Sequence, residues 1–193
     1  MIVAIILAGG QSKRMGQPKM LLPWGKLTVL EHVITTFINA GLQDILVVTG
    51  GAREQVEQAL EGYPVQKTHN EDHAAGEMLS SLQKGLKEIP NQAQAALIGL
   101  GDQPQVQEET VRLICETFQE SKSSLIVPSF QMRRGHPWLV ARPLWGEVLT
   151  LEPPATPRDF LNRHAGDIHY VDVETPSVLA DLDTPEDYQR SHP

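Results

Sequence analysis

Lys13, Arg14 and Lys19 follow the glycine pair Gly9 and Gly10 closely, with Ser12 and Gly16 among them and no acidic residue before Glu31. Glycines let backbone N–H groups approach an anion, and successive amides in a turn form a cationic nest, so this stretch reads as a polyphosphate cradle. Two carboxylates of interest lie far downstream, Asp102 in "GDQP" and Asp183 in "DLDTPEDY". Asp is a hard oxygen donor, and Mg²⁺ is usually held by one or two carboxylates together with phosphate oxygens and water. Asp102 and Asp183 together could therefore clamp one metal ion opposite the cradle. Asp181 and Asp183 alternate with Leu182, a spacing that predicts both acids on the same side of a strand.

Spacing removes two better-known phosphate loops. A P-loop needs Gly, four residues and then Gly-Lys-Ser/Thr, whereas five residues separate Gly10 from Gly16, and Gln17 follows. A dinucleotide fingerprint needs differently spaced glycines and an acidic residue about twenty positions on, and here Glu31 falls inside a predicted helix. His69 and His73 are four apart, but Asn70 beside them and the glycine beyond argue against a zinc helix. Cys115 in "VRLICETF" reads as one apolar helix position, and Trp138 and Trp145 read as packing residues.

These residues need a scaffold, and the chain is long enough for one. Its 193 residues suit a single domain, 1–193. A net charge of −8 argues against nucleic acid as a partner, because that partner needs a wide basic surface. The opening "MIVAIILAGG" has no cationic leader and is too short to span a membrane, so the expected setting is cytoplasmic, with no membrane partner.

Short apolar runs alternate with helical patterns, as in a mostly parallel sheet covered on both faces. Strands are expected at 2–7, 45–49, 65–70 and 95–101, and helices at 28–40, 53–61, 77–89 and 108–121. Thr28 and Glu31 form a capping-box pair, and Gly41 stops that helix. Extended segments follow at 124–130 and 136–142, a helix at 158–166, and late strands at 168–174 and 178–183. Thr184 and Pro185 then open a terminal helix as cap and first residue.

"LAGGQSKRMGQPKMLLPWG", "NEDHAAGEMLSSLQKGL", "GDQP", "RRGHPWLVAR" and "DLDTPEDY", in that order, resemble the molybdopterin nucleotidyltransferases, most closely the molybdenum cofactor cytidylyltransferases. The resemblance spans nearly the whole chain. It implies a three-layer α/β/α, Rossmann-like nucleotidyltransferase fold, with a nucleotide-binding half at about 1–105 and an acceptor-binding half at about 106–193. It also implies an Mg²⁺-dependent reaction in which a molybdopterin-type terminal phosphate attacks the α-phosphorus of CTP and expels pyrophosphate.

By the same resemblance, Leu7, Ala8, Gly9, Gly10 and Ser12 lie against the nucleotide, with Lys13 and Arg14 on its phosphates. Arg14, Lys19 and Asp102 are the catalytic set, Lys19 neutralising charge at the α-phosphate. Asn70, Gly76, Ser80 and Ser81 form a second nucleotide-contacting region. Arg134, Gly135, His136 and Pro137 face the acceptor, and Asp102 and Asp183 hold the metal. The partners implied are CTP or GTP, a molybdopterin-type phosphorylated acceptor and, beyond it, a molybdoenzyme or its chaperone.

The sequence departs from the cytidylyl pattern in having Ala8, Gly9 and Gly10, as the guanylyl branch does, where the cytidylyl branch has two alanines and a glycine. "EPPATPRDFL" also departs from the family's usual segment. GMP transfer from GTP, nucleotidyl transfer to another small phosphorylated acceptor, and a noncatalytic cofactor carrier or insertion factor therefore stand as alternatives.

Overall fold

The computed structural model describes residues 1–10, 15–73 and 77–193, and of Glu77 only the backbone. Ser12, Lys13, Arg14 and Gly76, expected at the nucleotide, lie outside the described residues.

The first strand, β1 (Ile2–Ala8), is apolar on both faces, which suits the centre of a sheet covered twice. Its side chains divide by parity: Val3, Ile5 and Leu7 enter one core, and Ala4, Ile6 and Ala8 the other. A small antiparallel hairpin, β2 (Pro23–Trp24) and β3 (Leu27–Thr28), follows, and then β4 (Ile45–Thr49), β5 (Gln66–His69), β6 (Ala95–Leu100) and β7 (Leu125–Phe130). The last strands are β8 (Arg133–Arg134), β9 (Trp138–Ala141) and β10 (His169–Asp172).

The main sheet runs β10-β7-β9-β6-β1-β4-β5, with β8 paired to β7. β1, β4, β5 and β6 are mutually parallel, β9 runs antiparallel to both β6 and β7, and β10 is parallel to β7. One face carries α1 (Val29–Asn39), α2 (Arg53–Ala59) and α4 (Glu108–Ser121), through Leu30, Ile34, Phe37, Val56, Val111 and Ile114. The other carries α3 (Glu77–Glu88), α5 (Trp145–Leu149) and α6 (Pro157–Arg163), through Leu82, Leu86, Trp145, Val148 and Phe160. The fold is thus α/β in three layers with a mostly parallel sheet. No helix among the described residues is long and apolar enough to cross a membrane.

Local chemistry sets several boundaries. The Thr28 hydroxyl accepts the Glu31 N–H while the Glu31 carboxylate accepts the Thr28 N–H, closing the capping box of α1. Thr184 and Asp187 do the same for the terminal helix α7 (Pro185–Ser191), which Pro185 opens. Cys115 is partly buried, and burial with a smaller contribution from Glu116 pushes its thiol up to about 11, as a packed side chain requires.

One expected element is absent. Residues 178–183 do not form a strand: Pro176–Leu179 make a 3-10 turn capped by the Thr175 hydroxyl, and the following residues join no sheet. Pro176 has no N–H for a ladder, and the Leu182 N–H is bonded at 3.3 Å to the Asp102 carbonyl instead. The segment is held by the turn it crosses.

Candidate functional site

The carboxyl ends of the parallel strands open on one side of the sheet, where ligands of such folds bind. After β6 the chain turns at Gly101, whose N–H donates to the Leu7 carbonyl at 3.0 Å, so Asp102 emerges beside the end of β1. Lys19 begins a short 3-10 turn, Lys19–Leu21, and is only 8% exposed. Its ammonium contacts Asp102 Oδ2 at 2.5 Å and Asp183 Oδ1 at 2.9 Å. Three residues from opposite parts of the chain thus meet at one point.

A small apolar cluster brings them there. Leu22, Trp24 and Val29 from the hairpin region pack with Leu182, and Tyr188 of α7 leans on the same cluster. The Tyr188 hydroxyl also donates to the Pro23 carbonyl at 2.6 Å. With Leu182 fully buried, its neighbours Asp181 and Asp183 face outward. The alternation expected of a strand holds here without one.

Electrostatics bind the group together. Burial by itself lowers the Lys19 pKa, but the attraction and hydrogen bonds of Asp102 and Asp183 outweigh it, and the ammonium is held above its ordinary value. Asp181 is pushed up, first by burial and further by Asp102 and Asp183, against the Gln103 hydrogen bond and Lys19, which pull it down. The Gln103 amide donates to Asp181 Oδ1 at 2.6 Å.

Two carboxylates converging on one cation are a donor set suited to a divalent ion. Asp183 is half exposed, leaving room for phosphate and water to complete the shell. Among the described residues no cluster of three or more acidic, histidine or cysteine side chains is arranged as a metal site. Asp102 and Asp183 are the carboxylates that meet on the Lys19 ammonium.

On the far side of β1, Asn70 is 4% exposed, and its amide donates to Ser80 Oγ at 2.8 Å and Ser81 Oγ at 3.0 Å. Ser81 lies over Gly9, where a Cβ would stand 2.9 Å from its hydroxyl oxygen. Gly50, read from the sequence only as a turn, is just as tight: a Cβ there would lie 2.5 Å from the Gly9 carbonyl oxygen. Leu7 and Ala8 form the buried end of β1, and Gly10 leads away from it exposed. The structure therefore gathers Gly9, Gly50, Asn70, Ser80 and Ser81 beside the start of the cationic loop.

The motif expected to face the acceptor sits in the antiparallel part of the sheet. Arg134 donates through Nε to the Tyr170 hydroxyl at 2.9 Å and through Nη1 to Asn162 Oδ1 at 2.8 Å. Gly135 packs so closely on Val178 that a Cβ would stand within 2.7 Å of its side chain, and the His136 N–H donates to the Val178 carbonyl at 2.9 Å. Val178 leads directly into the segment carrying Asp181 and Asp183. Burial pushes the His136 imidazole down to about 4, so it is neutral near pH 7, and buried Pro137 follows it. Asn162 and Tyr170, which hold Arg134, escaped sequence reasoning because nothing local links them to the motif.

With this geometry in hand, comparison with known proteins decides the family. Residues 4–168 match the MobA-like NTP transferase domain. The chain belongs to that family. It is accordingly a nucleotidyltransferase. It is 29% identical over 187 residues to the molybdenum cofactor cytidylyltransferase of Escherichia coli (strain K12), covering 97% of this chain and 93% of that one. Rv0371c of Mycobacterium tuberculosis H37Rv, solved as a complex with manganese, superposes with a TM-score of 0.79 at 29% identity, over 99% of this chain and 97% of that one.

A nicotine blue oxidoreductase of Paenarthrobacter nicotinovorans is 28% identical over 197 residues, covering 98% of this chain and 95% of that one. Relatives of comparable similarity thus carry names from two reaction classes. Which substrates a member of the family takes depends on its own side chains.

Proposed function

We propose that this chain is a cytoplasmic, single-domain, Mg²⁺-dependent enzyme that transfers CMP from CTP to the terminal phosphate of a molybdopterin-type cofactor, releasing pyrophosphate. The observation that carries the proposal is Lys19 bridging Asp102 and Asp183 at the strand ends. Similarity over nearly the full length to a molybdenum cofactor cytidylyltransferase supports the acceptor and the base.

In the transfer, an acceptor phosphate oxygen attacks the α-phosphorus of the triphosphate. The bond from that phosphorus to the bridging oxygen breaks, and pyrophosphate carries the electron pair away. No protein nucleophile is needed, because such transfers depend on positioning and charge stabilisation. Asp102 and Asp183 would hold Mg²⁺, which would supply positive charge to the phosphate oxygens of the nucleotide.

The chain's own part is an exchange of partners. Lys19 rests on the two carboxylates and has to release them before both can serve a metal. The incoming triphosphate offers the ammonium a new anion, so Lys19 moves to the α-phosphate as the carboxylates are freed. Gly9 and Gly50 let the ends of β1 and β4 and the Ser81 hydroxyl pack closely together, and Ser81, which accepts from Asn70, places that hydroxyl beside the nucleotide. Arg134, fixed by Asn162 and Tyr170, presents a guanidinium to the acceptor phosphate.

The decisive experiment measures pyrophosphate release and nucleotide transfer side by side from CTP and GTP to the phosphorylated pterin. Faster transfer from CTP is expected. Preference for GTP would move the assignment to the guanylyl reaction that Ala8, Gly9 and Gly10 resemble. Tight pterin binding without release from either nucleotide would make the protein a carrier.

A further inference from the structure

Gln103 stands between the two carboxylate segments and is assigned no role by the reaction just described. Its side chain is only 3% exposed. The amide Nε2 donates to Asp181 Oδ1 at 2.6 Å, while Oε1 is buried with no hydrogen-bond partner among the described residues. A buried acceptor without a partner is unfavourable. The amide tolerates it while its other end holds a carboxylate.

That carboxylate belongs to the charged cluster. Asp181 is two residues from Asp183, and its charge interacts with those of Asp102, Asp183 and Lys19. It is nevertheless Asp102 and Asp183 that meet on the ammonium. Leu182, buried between the two acids, and its N–H bond to the Asp102 carbonyl fix the spacing of the segment against the turn.

We propose that Gln103 is a positioning residue that sequesters Asp181, limiting the metal site to two carboxylates. The inference rests on Asp102 and Asp183 being the metal pair. Its physical reason is the appetite of divalent ions for charge. A third carboxylate raises affinity for the bare ion and favours Ca²⁺, which takes more oxygen ligands than Mg²⁺ and tolerates irregular geometry. A site with two carboxylates leaves coordination positions to be filled by phosphate oxygens, so strong metal binding awaits the nucleotide.

The test uses the full chain without nucleotide, with Mn²⁺ alone as the probe followed by electron paramagnetic resonance of the free ion, and Ca²⁺ as competitor. Gln103→Leu releases Asp181 and is expected to tighten Mn²⁺ binding by roughly tenfold or more, as adding a charged ligand does, with a larger gain for Ca²⁺. Adding Asp181→Asn to Gln103→Leu should return both affinities to the parent's, which a purely structural role for Gln103 would not produce. Thermal melting without metal establishes that each variant is folded.

No gain in Gln103→Leu, or a gain that survives Asp181→Asn, overturns the inference and leaves the metal pair standing. Asp102→Asn added to Gln103→Leu separates the two ideas. If the gained Mn²⁺ binding persists without the Asp102 carboxylate, the assignment of the metal pair falls and the inference falls with it.

Discussion

The two ends of the candidate site are built on opposite electrostatic plans. At the parallel end, Lys19, Asp102 and Asp183 are charged groups paired with one another, so an ion that takes one of them displaces an existing partner. At the antiparallel end, the guanidinium of Arg134 is held by a phenol and an amide, with no carboxylate in either hydrogen bond. In the proposed reaction the first arrangement serves as an exchange and the second as a fixed receptor. Charge pairs that must be swapped suit a centre where charge moves during reaction, and a neutral scaffold suits a group that only orients.

The comparison breaks most severely if the carboxylates are removed. Asp102→Asn and Asp183→Asn are each expected to lower turnover by roughly a hundredfold to a thousandfold, the range for losing one preorganised electrostatic group. Initial rates over a Mg²⁺ titration should show a weakened metal response in both. An unchanged titration would reduce Asp102 to a turn residue.

Lys19→Met sharpens the exchange, because its two effects run in opposite directions. Turnover should fall by about a hundredfold. Mn²⁺ should nevertheless bind the nucleotide-free protein more tightly than it binds the parent, since no ammonium competes for the carboxylates. Weaker Mn²⁺ binding in Lys19→Met would remove the exchange from the mechanism.

The fixed receptor should fail more gently. Arg134→Ala is expected to raise the KM for the phosphorylated acceptor about tenfold, equivalent to about 1.4 kcal/mol, while the KM for CTP stays at the parent value. Steady-state kinetics with each substrate varied in turn separates the two constants. Loss of nucleotide affinity of the same size would contradict the division between the ends.

The smallest expected effect is a pH dependence at the antiparallel end. His136 is pushed down by burial to about 4, so between the ordinary histidine value of 6.5 and about 4 the unfolded chain binds more protons than the folded one. Folding stability from this group is therefore fully present above pH 6.5 and is lost as the pH falls towards 4. The denaturant midpoint of the parent minus that of His136→Gln should decrease over that range as the medium becomes acidic. Parallel curves would show that His136 is not titrating as described.

Where the sequence was legible, the signals were local. Thr28 with Glu31 and Thr184 with Pro185 marked helix starts because cap and partner lie within one turn. The apolar run of β1 marked a central strand because both of its faces are covered. The segment 178–183 was misread as a strand because its alternation, Leu182 inward with Asp181 and Asp183 outward, has the right period. A strand also needs a neighbour for its N–H groups, and the Leu182 N–H goes to Asp102 instead. Neither the antiparallel entry of β9 between β6 and β7 nor the support of Arg134 by Asn162 and Tyr170 has a signature in nearby residues.

The sequence by itself determined the layered α/β class, the order of the main elements and the chemistry that could be assembled, since glycines, a lysine and two aspartates in this combination have few common uses. Only the tertiary structure decided that Lys19 rests on Asp102 and Asp183, and that Gln103 claims Asp181. The reason is that these contacts join distant segments. Their geometry is set by the packing of Leu22, Trp24, Val29 and Leu182, a cluster no window of the chain contains.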